Sequence, residues 1–287
     1  MNVAPSGRIP EALLPRPVKG GQHRHVLGLR PLDWRDWFVT DDDTEALQAN
    51  RSRLMAEAPG EVFVAEPGTE VAAEELRGMI AENLAMFHGA RPASTTGGHP
   101  LAAAAELVAD DLILLDTSGD EVRLVAASVC APNRWKLAVK FGEGLRAVHT
   151  PVPGYADQVA DVVNTTLTRL DRPVWRSNWG VTDSPAWYQP AAPKIGASIR
   201  TAQAAADRLW LRVERQTLVP LPRSKALVFT IRTFQQRLAT FADMPQAAIQ
   251  FTAAIDQLPE PLSRYKDLTR HLPAIRAWLE QCGAATE

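Results

Sequence analysis

An α+β fold is predicted, an antiparallel sheet with flanking helices, and three observations carry it. Five or so short apolar or alternating runs are ordered as hairpins rather than each being followed by a helix. Helical periodicity flanks those runs, most clearly before the first and after the last. No Gly-rich phosphate loop follows any strand-type run, which disfavours a doubly wound sheet and a bound nicotinamide or nucleoside triphosphate.

Composition sets the frame. The chain has 287 residues, 46% of them hydrophobic, enough for a substantial core. Its 31 Lys and Arg against 33 Asp and Glu give a net charge of −2, so no basic field exists to hold a nucleic acid. The 22 prolines limit long helices. Cys130 and Cys282 lie far apart in no metal-type spacing, which fits a reducing compartment. The N-terminus lacks the apolar stretch of a signal peptide, and no run approaches the roughly 20 apolar residues of a membrane helix. A cytoplasmic protein is expected, without membrane partner and with oligomeric state open.

The elements follow in order. Residues 1–27 read as an extended arm, because Pro5, Pro10, Pro15 and Pro17 oppose a helix and Gly20-Gly21 loosens it. A single domain is expected over residues 28–287. Asp33 or Asp36 caps a short helix with Trp34, Trp37 and Phe38 on its apolar side. Residues 45–56 form a polar helix, 62–65 a short strand. Residues 71–88 form a helix with Val71, Leu76, Ile80, Leu84 and Phe87 near one face. Residues 95–100 form a loop.

Residues 111–116 and 122–130 flank the turn Thr117-Ser-Gly-Asp120 as a hairpin. Residues 134–141 form a short helix carrying Trp135, Lys136 and Lys140, and 155–170 a helix with Val159, Val162, Val163, Leu167 and Leu170 inward. Residues 173–181 alternate aromatic and polar. In 210–218, Arg212, Glu214 and Gln216 share one side and Leu211, Val213 and Arg215 the other. Leu221-Pro-Arg-Ser224 turns the chain, and 226–234 runs back. The connection 182–206 is partly helical near its end, and helices at 235–256 and 262–281 close the chain. The helices are expected on one side of the sheet.

Two constellations carry chemistry between Glu121 and Phe234. Of six histidines, His23 and His25 read as solvated, His88 as a helix terminator, and His99 and His271 as a loop and a helix residue. His149 differs. It follows Ala147-Val148 and precedes Thr150-Pro-Val-Pro-Gly154, so its backbone support is stiff. Spacing alone leaves it open between a hydrogen-bonded structural histidine and an axial iron ligand. The second constellation is Glu214, Arg215, Arg223 and Arg232 on two paired strands. Arg232 lies between apolar Phe229, Ile231 and Phe234, where a charge needs an anion, either Glu214 or an acidic ligand.

The pieces Gly28-Leu-Arg-Pro-Leu-Asp-Trp34, Asn133-Arg-Trp-Lys136, Lys140-Phe-Gly142, Val148-His-Thr-Pro-Val-Pro-Gly154, Ser177-Asn-Trp179, Glu214-Arg-Gln-Thr-Leu218, Leu221-Pro-Arg-Ser224 and Phe229-Thr-Ile-Arg-Thr233 stand in this order. Together they resemble the haem-binding α subunit of haem-dependent oxidative N-demethylase and its relatives. The resemblance implies a PAS-like haem domain enlarged at both ends. It implies haem b, dioxygen, a small methylated amine as substrate, and electrons from separate flavin and iron–sulfur reductase subunits. It implies His149 as the iron ligand, Glu214 and Asn178 as substrate contacts, Arg223 and Arg232 as propionate or dioxygen contacts, and Trp135 and Lys140 beside the cofactor. Glu214 and Arg232 are then the catalytic pair. A haem-based gas or redox sensor is the alternative, disfavoured by the lack of an output domain. Two positions depart from the pattern: Lys225 stands where relatives have Gly, and Phe234 where they have Tyr. A phenol that donated to dioxygen or substrate from that position would be missing here.

Overall fold

A computed structural model describes residues 5, 7–18, 27–90, 98–191 and 198–284. Its centre is one sheet of seven strands: β1 Arg30–Pro31, β2 Phe63–Ala65, β3 Asp111–Asp116, β4 Arg123–Ser128, β5 Val174–Thr182, β6 Trp210–Pro220 and β7 Leu227–Arg237. Their order is β1-β5-β6-β7-β3-β4-β2, and every pairing is antiparallel. The expected α+β class and antiparallel sheet are therefore present. β1 was not expected, since two residues are too few to show an alternation.

Side chains alternate across the sheet, and the register β5–β6–β7 sorts them into two faces. On the first face Val181, Leu211, Val213 and Phe234 pack against Phe241 from the 3-10 helix Leu238–Asp243 and against Phe251, Ile275 and Leu279 from the C-terminal helices Pro245–Asp256 and Leu272–Ala284. Farther along that face, Leu112, Leu114, Val219 and Val228 meet Leu76, Ile80 and Leu101 from helices Glu70–Phe87 and Pro100–Glu106. On the second face Ile113, Leu115, Leu218 and Ile231 pack against Leu137, Leu145, Tyr155, Val163 and Leu167. These belong to the crossover from β4 to β5. Both faces are thus covered, where one-sided packing was expected. Of the polar residues Arg212, Glu214 and Gln216 on this face, Arg212 and Glu214 are buried.

Several element ends differ as well. β7 runs on to Arg237 and the last-but-two helix starts only at Pro245, where proline suits the first helical turn. The expected helix 262–281 is two, Glu260–Tyr265 and Leu272–Ala284. The expected helix 155–170 breaks at Val159 into Tyr155–Gln158 and Ala160–Thr168. Val71 and Val162, expected inward, are exposed. Asp33 caps the turn Trp34–Asp36 through Arg35 N. In the expected arm, residues 7–18 carry a 3-10 turn at Glu11–Leu13, and Ile9, Leu13 and Leu14 are buried against the first face. His23, His25, Gly20-Gly21 and residues 95–97 of the 95–100 loop lie outside the described residues.

Candidate functional site

The second face holds a polar centre between its apolar packing and the end of the sheet. Glu214 stands opposite Asn178 on β5 and Thr233 on β7. Arg176, Arg212 and Gln216 share that face by parity. The crossover between β4 and β5 lies over it and supplies Lys140, His149 and Tyr155.

His149 closes the short helix Leu145–Val148, and Pro151 and Pro153 bar its continuation. Its Nδ1 donates to the Leu145 carbonyl at 2.8 Å, and its ring stacks on Tyr155 with centroids 4.3 Å apart. A carbonyl only accepts, so the proton sits on Nδ1 and the lone pair on Nε2. Burial pushes the imidazole pKa down to about 4, against the pull of the Leu145 bond and helped by the charges of Lys140 and Arg176. The ring is neutral near pH 7, as a metal ligand must be.

Four cations lie within electrostatic reach of the Glu214 carboxylate, and none forms an ion pair with it among the described residues. Lys140 lies over the Trp135 ring at 4.3 Å, and burial lowers its pKa to about 8. Burial also lowers Arg176, whose Nε has no hydrogen-bond partner. Arg212 donates to the carbonyls of Ala131 and Trp187 and to Thr233 Oγ1. Lys266 donates to Asn178 Oδ1 at 3.1 Å and to the Trp179 carbonyl, and burial brings it to about 8. Glu214 itself accepts from Gln216 Nε2 at 3.1 Å. Arg212 also feels the charge of Asp111, whereas Lys140, Arg176 and Lys266 form no ion pair among the described residues.

A strained ion pair frames this centre. Arg134 and Asp267 both have left-handed backbones, φ 61° and 55°, and their side chains meet at 3.1 Å. One precedes Trp135 and the other follows Lys266, so the pair ties the two halves of the site together. Left-handed non-glycine residues cost energy and persist only where their surroundings enforce them.

The structure thus brings together His149, Trp135, Lys140, Asn178 and Glu214. It separates Arg232 and Arg223 from them. Arg232 points to the first face, fully buried, and pairs there with Asp41, so neither Glu214 nor a ligand near His149 is its counter-ion. Parity is the reason: Glu214 faces Thr233, and Arg232 faces Arg215. Arg223 lies in the exposed β6–β7 turn, where Glu75 accepts from its backbone at 2.7 Å. Phe234 also lies on the first face, with Arg232 over its ring at 5.0 Å, so a phenol there would not reach the His149 side. Lys225 has φ 63°, the conformation glycine adopts most easily, which accounts physically for Gly at this turn.

Sequence reasoning missed Arg176, Tyr155 and Lys266. Arg176 was readable, two residues before Asn178 and therefore on its face. Tyr155 and Lys266 arrive from other elements and leave no local signal. The other described histidines have structural partners: His88 meets Thr40, His99 caps a helix through Leu101 N, and His271 accepts from Ile199 N. Among the described residues no group of three or more His, Cys, Asp or Glu is arranged to hold a metal ion, and no helix is long and apolar enough to cross a membrane. A family model described as haem-dependent oxidative N-demethylase, alpha subunit-like, matches residues 87–276, a span that contains every side chain of this centre.

Proposed function

Because the chain belongs to the haem-dependent oxidative N-demethylase, alpha subunit-like family, we propose that it binds haem b against the second face of the sheet, with His149 Nε2 on the iron, and demethylates a small methylated amine. The observation that carries this is the His149 ring, with its proton committed to Leu145, its charge suppressed by burial and Lys140 and Arg176 beside it. A backbone partner for Nδ1 is the usual support of a metal-bound imidazole. Lys140 and Arg176 would meet the two propionates, and Tyr155 would fix the plane of the ring. These residues fit the group, and they replace Arg223 and Arg232 in the propionate role. The strand order β5-β6-β7-β3-β4, built from a hairpin, a helical crossover and three further strands, supports a PAS-like reading.

Bound haem would supply dioxygen activation. The overall reaction takes a methylated amine, dioxygen, two electrons and two protons to the demethylated amine, formaldehyde and water. The chain's own part is to hold an ammonium against Glu214, shielded from bulk water by Trp135, Tyr155 and the overlying crossover. The family description as an alpha subunit goes with electron delivery from separate subunits, which we read as a flavin and iron–sulfur reductase in the cytoplasm.

The test is an absorption spectrum of protein produced with added haem, followed by a formaldehyde assay with methylated amines, a surrogate reductant and dioxygen. A Soret band with formaldehyde release is expected. Reversible binding of carbon monoxide or nitric oxide without formaldehyde would replace the demethylase with a gas or redox sensor. A protein that takes up no haem would overturn both.

A further inference from the structure

The groups around Glu214 say more about the substrate than that it is a cation. Lys266 commits two N–H groups, to Asn178 Oδ1 and the Trp179 carbonyl, and keeps a third. It forms no ion pair among the described residues, although it feels the charge of Glu214. Since Asn178 Oδ1 accepts from Lys266, the amide nitrogen is fixed as the other end, and its two N–H groups have no partner among the described residues. Asn178 is directly opposite Glu214 in the β5–β6 register, a separation of about 5 Å between such Cβ atoms. The carboxylate of Glu214 therefore stands directly beside a row of donors, so acceptor and donors adjoin in one place. A simple dialkylammonium would satisfy Glu214 and leave Asn178 Nδ2 and the third Lys266 N–H without an anionic partner.

We propose that Glu214, Asn178 and Lys266 together read a zwitterion, so that the substrate is an N-methylated amino acid. This rests on the demethylase reading above. The substrate ammonium lies against Glu214 and its carboxylate against Asn178 Nδ2 and Lys266. Lys140 and Arg176 remain for the propionates, so the two anionic demands do not compete. The N-methyl carbon is oxidised to formaldehyde. Its bond to nitrogen breaks, and the electron pair stays on nitrogen, which takes a proton. One oxygen atom of dioxygen leaves in formaldehyde and the other in water. The two electrons come from the external flavin or iron–sulfur donor, with two protons from solvent.

The test titrates the purified full-length protein calorimetrically with N,N-dimethylglycine, dimethylamine and acetate, while the Soret band of the same sample reports haem. N,N-dimethylglycine should bind about tenfold or more tightly than dimethylamine or acetate, the worth of one charge-assisted contact. Lys266→Gln should erase that preference, with dimethylamine binding at least as well as to the wild type. Asn178→Asp, which keeps the shape and turns donors into acceptors, should abolish N,N-dimethylglycine binding while dimethylamine binds at least as well; it decides the matter if Lys266→Gln fails to fold. Dimethylamine binding as tightly as the amino acid, no binding of either, or equal weakening of both by the variants overturns the proposal. A Soret band without the preference sinks the zwitterion site alone. The preference without a Soret band sinks the demethylase reading alone.

Discussion

His149 Nδ1 donates to the carbonyl of Leu145, four residues back, at 2.8 Å. That one bond decides which nitrogen is available. His149→Ala should therefore lower haem retention by more than tenfold or change the ligation, and added imidazole should restore the original spectrum by occupying the vacated volume. Spectroscopy on the haem-supplemented variant checks this. An unchanged Soret band in His149→Ala without imidazole would remove the residue from the ligand role.

Arg176 and Arg232 should separate stability from cofactor binding. Arg232→Leu strands Asp41 and should cost about 3–5 kcal/mol of folding stability, near the lower figure because Asp41 is partly exposed. Arg176→Leu breaks no hydrogen bond among the described residues and should change stability by no more than about 1 kcal/mol. It should instead weaken haem retention by about 10- to 100-fold. Denaturant unfolding and haem-transfer rates measure the two quantities, and the reverse pattern would exchange the roles.

Lys225→Gly should stabilise the protein. The position has φ 63°, where a side chain costs roughly 1–2 kcal/mol, partly offset by the larger entropy glycine loses on folding. A net gain of up to about 1 kcal/mol in denaturant unfolding is expected, with an unchanged haem spectrum.

Phe234→Tyr should leave ligand binding near His149 unaltered. The ring is 3% exposed, in the cluster with Leu211, Val213 and Phe251 on the first face. A hydroxyl placed there has to find a partner or cost roughly 1–3 kcal/mol. Thermal unfolding should register the change and amine titration should not; altered amine affinity would contradict the separation of the faces.

The acid limb of stability should contain two opposed contributions. In the haem-free protein His149 is lowered from 6.5 to about 4, so between those values the unfolded chain binds the extra proton, and this group destabilises the fold as pH falls. Asp110 is raised from 3.8 to about 6 by complete burial, so there the folded chain binds the extra proton, and this group destabilises the fold as pH rises. Relative to wild type, His149→Gln should gain stability as pH drops from 6.5 to 4. Asp110→Asn should gain it as pH climbs from 3.8 to 6. Urea unfolding across this range checks both slopes, and a pH-independent difference for either variant would discount that group.

How much of this was legible depends on where each signal resides. The hairpin β3–β4 and the pair β6–β7 announce themselves locally, by turn residues between apolar runs. Residues 235–237 read as helix because Gln and Arg are good helix formers, and pairing with β6 overrides that propensity. The alternation in β6 was read correctly, but its use on β7 was not carried through, and so Arg232 was placed on the side of Glu214, with Glu214 or an acidic ligand as its anion. Asp41, the true partner of Arg232, lies 191 residues away, a distance at which no pattern points. His149 was singled out because prolines and a family motif mark the same place.

The alternation in β6 also constrains how this chain can change length. Successive residues there belong to chemically unrelated compartments, Glu214 to one and Arg215 to the other. A deletion of one codon between Leu211 and Val213 would carry the Arg215 guanidinium in among Lys140, Arg176 and Lys266 and drop Glu214 onto the opposite side. Loss of two codons would restore the parity and merely shorten the strand. Insertions and deletions in related chains should therefore fall among residues 222–225 of the β6–β7 turn or, within the strand, come in even numbers.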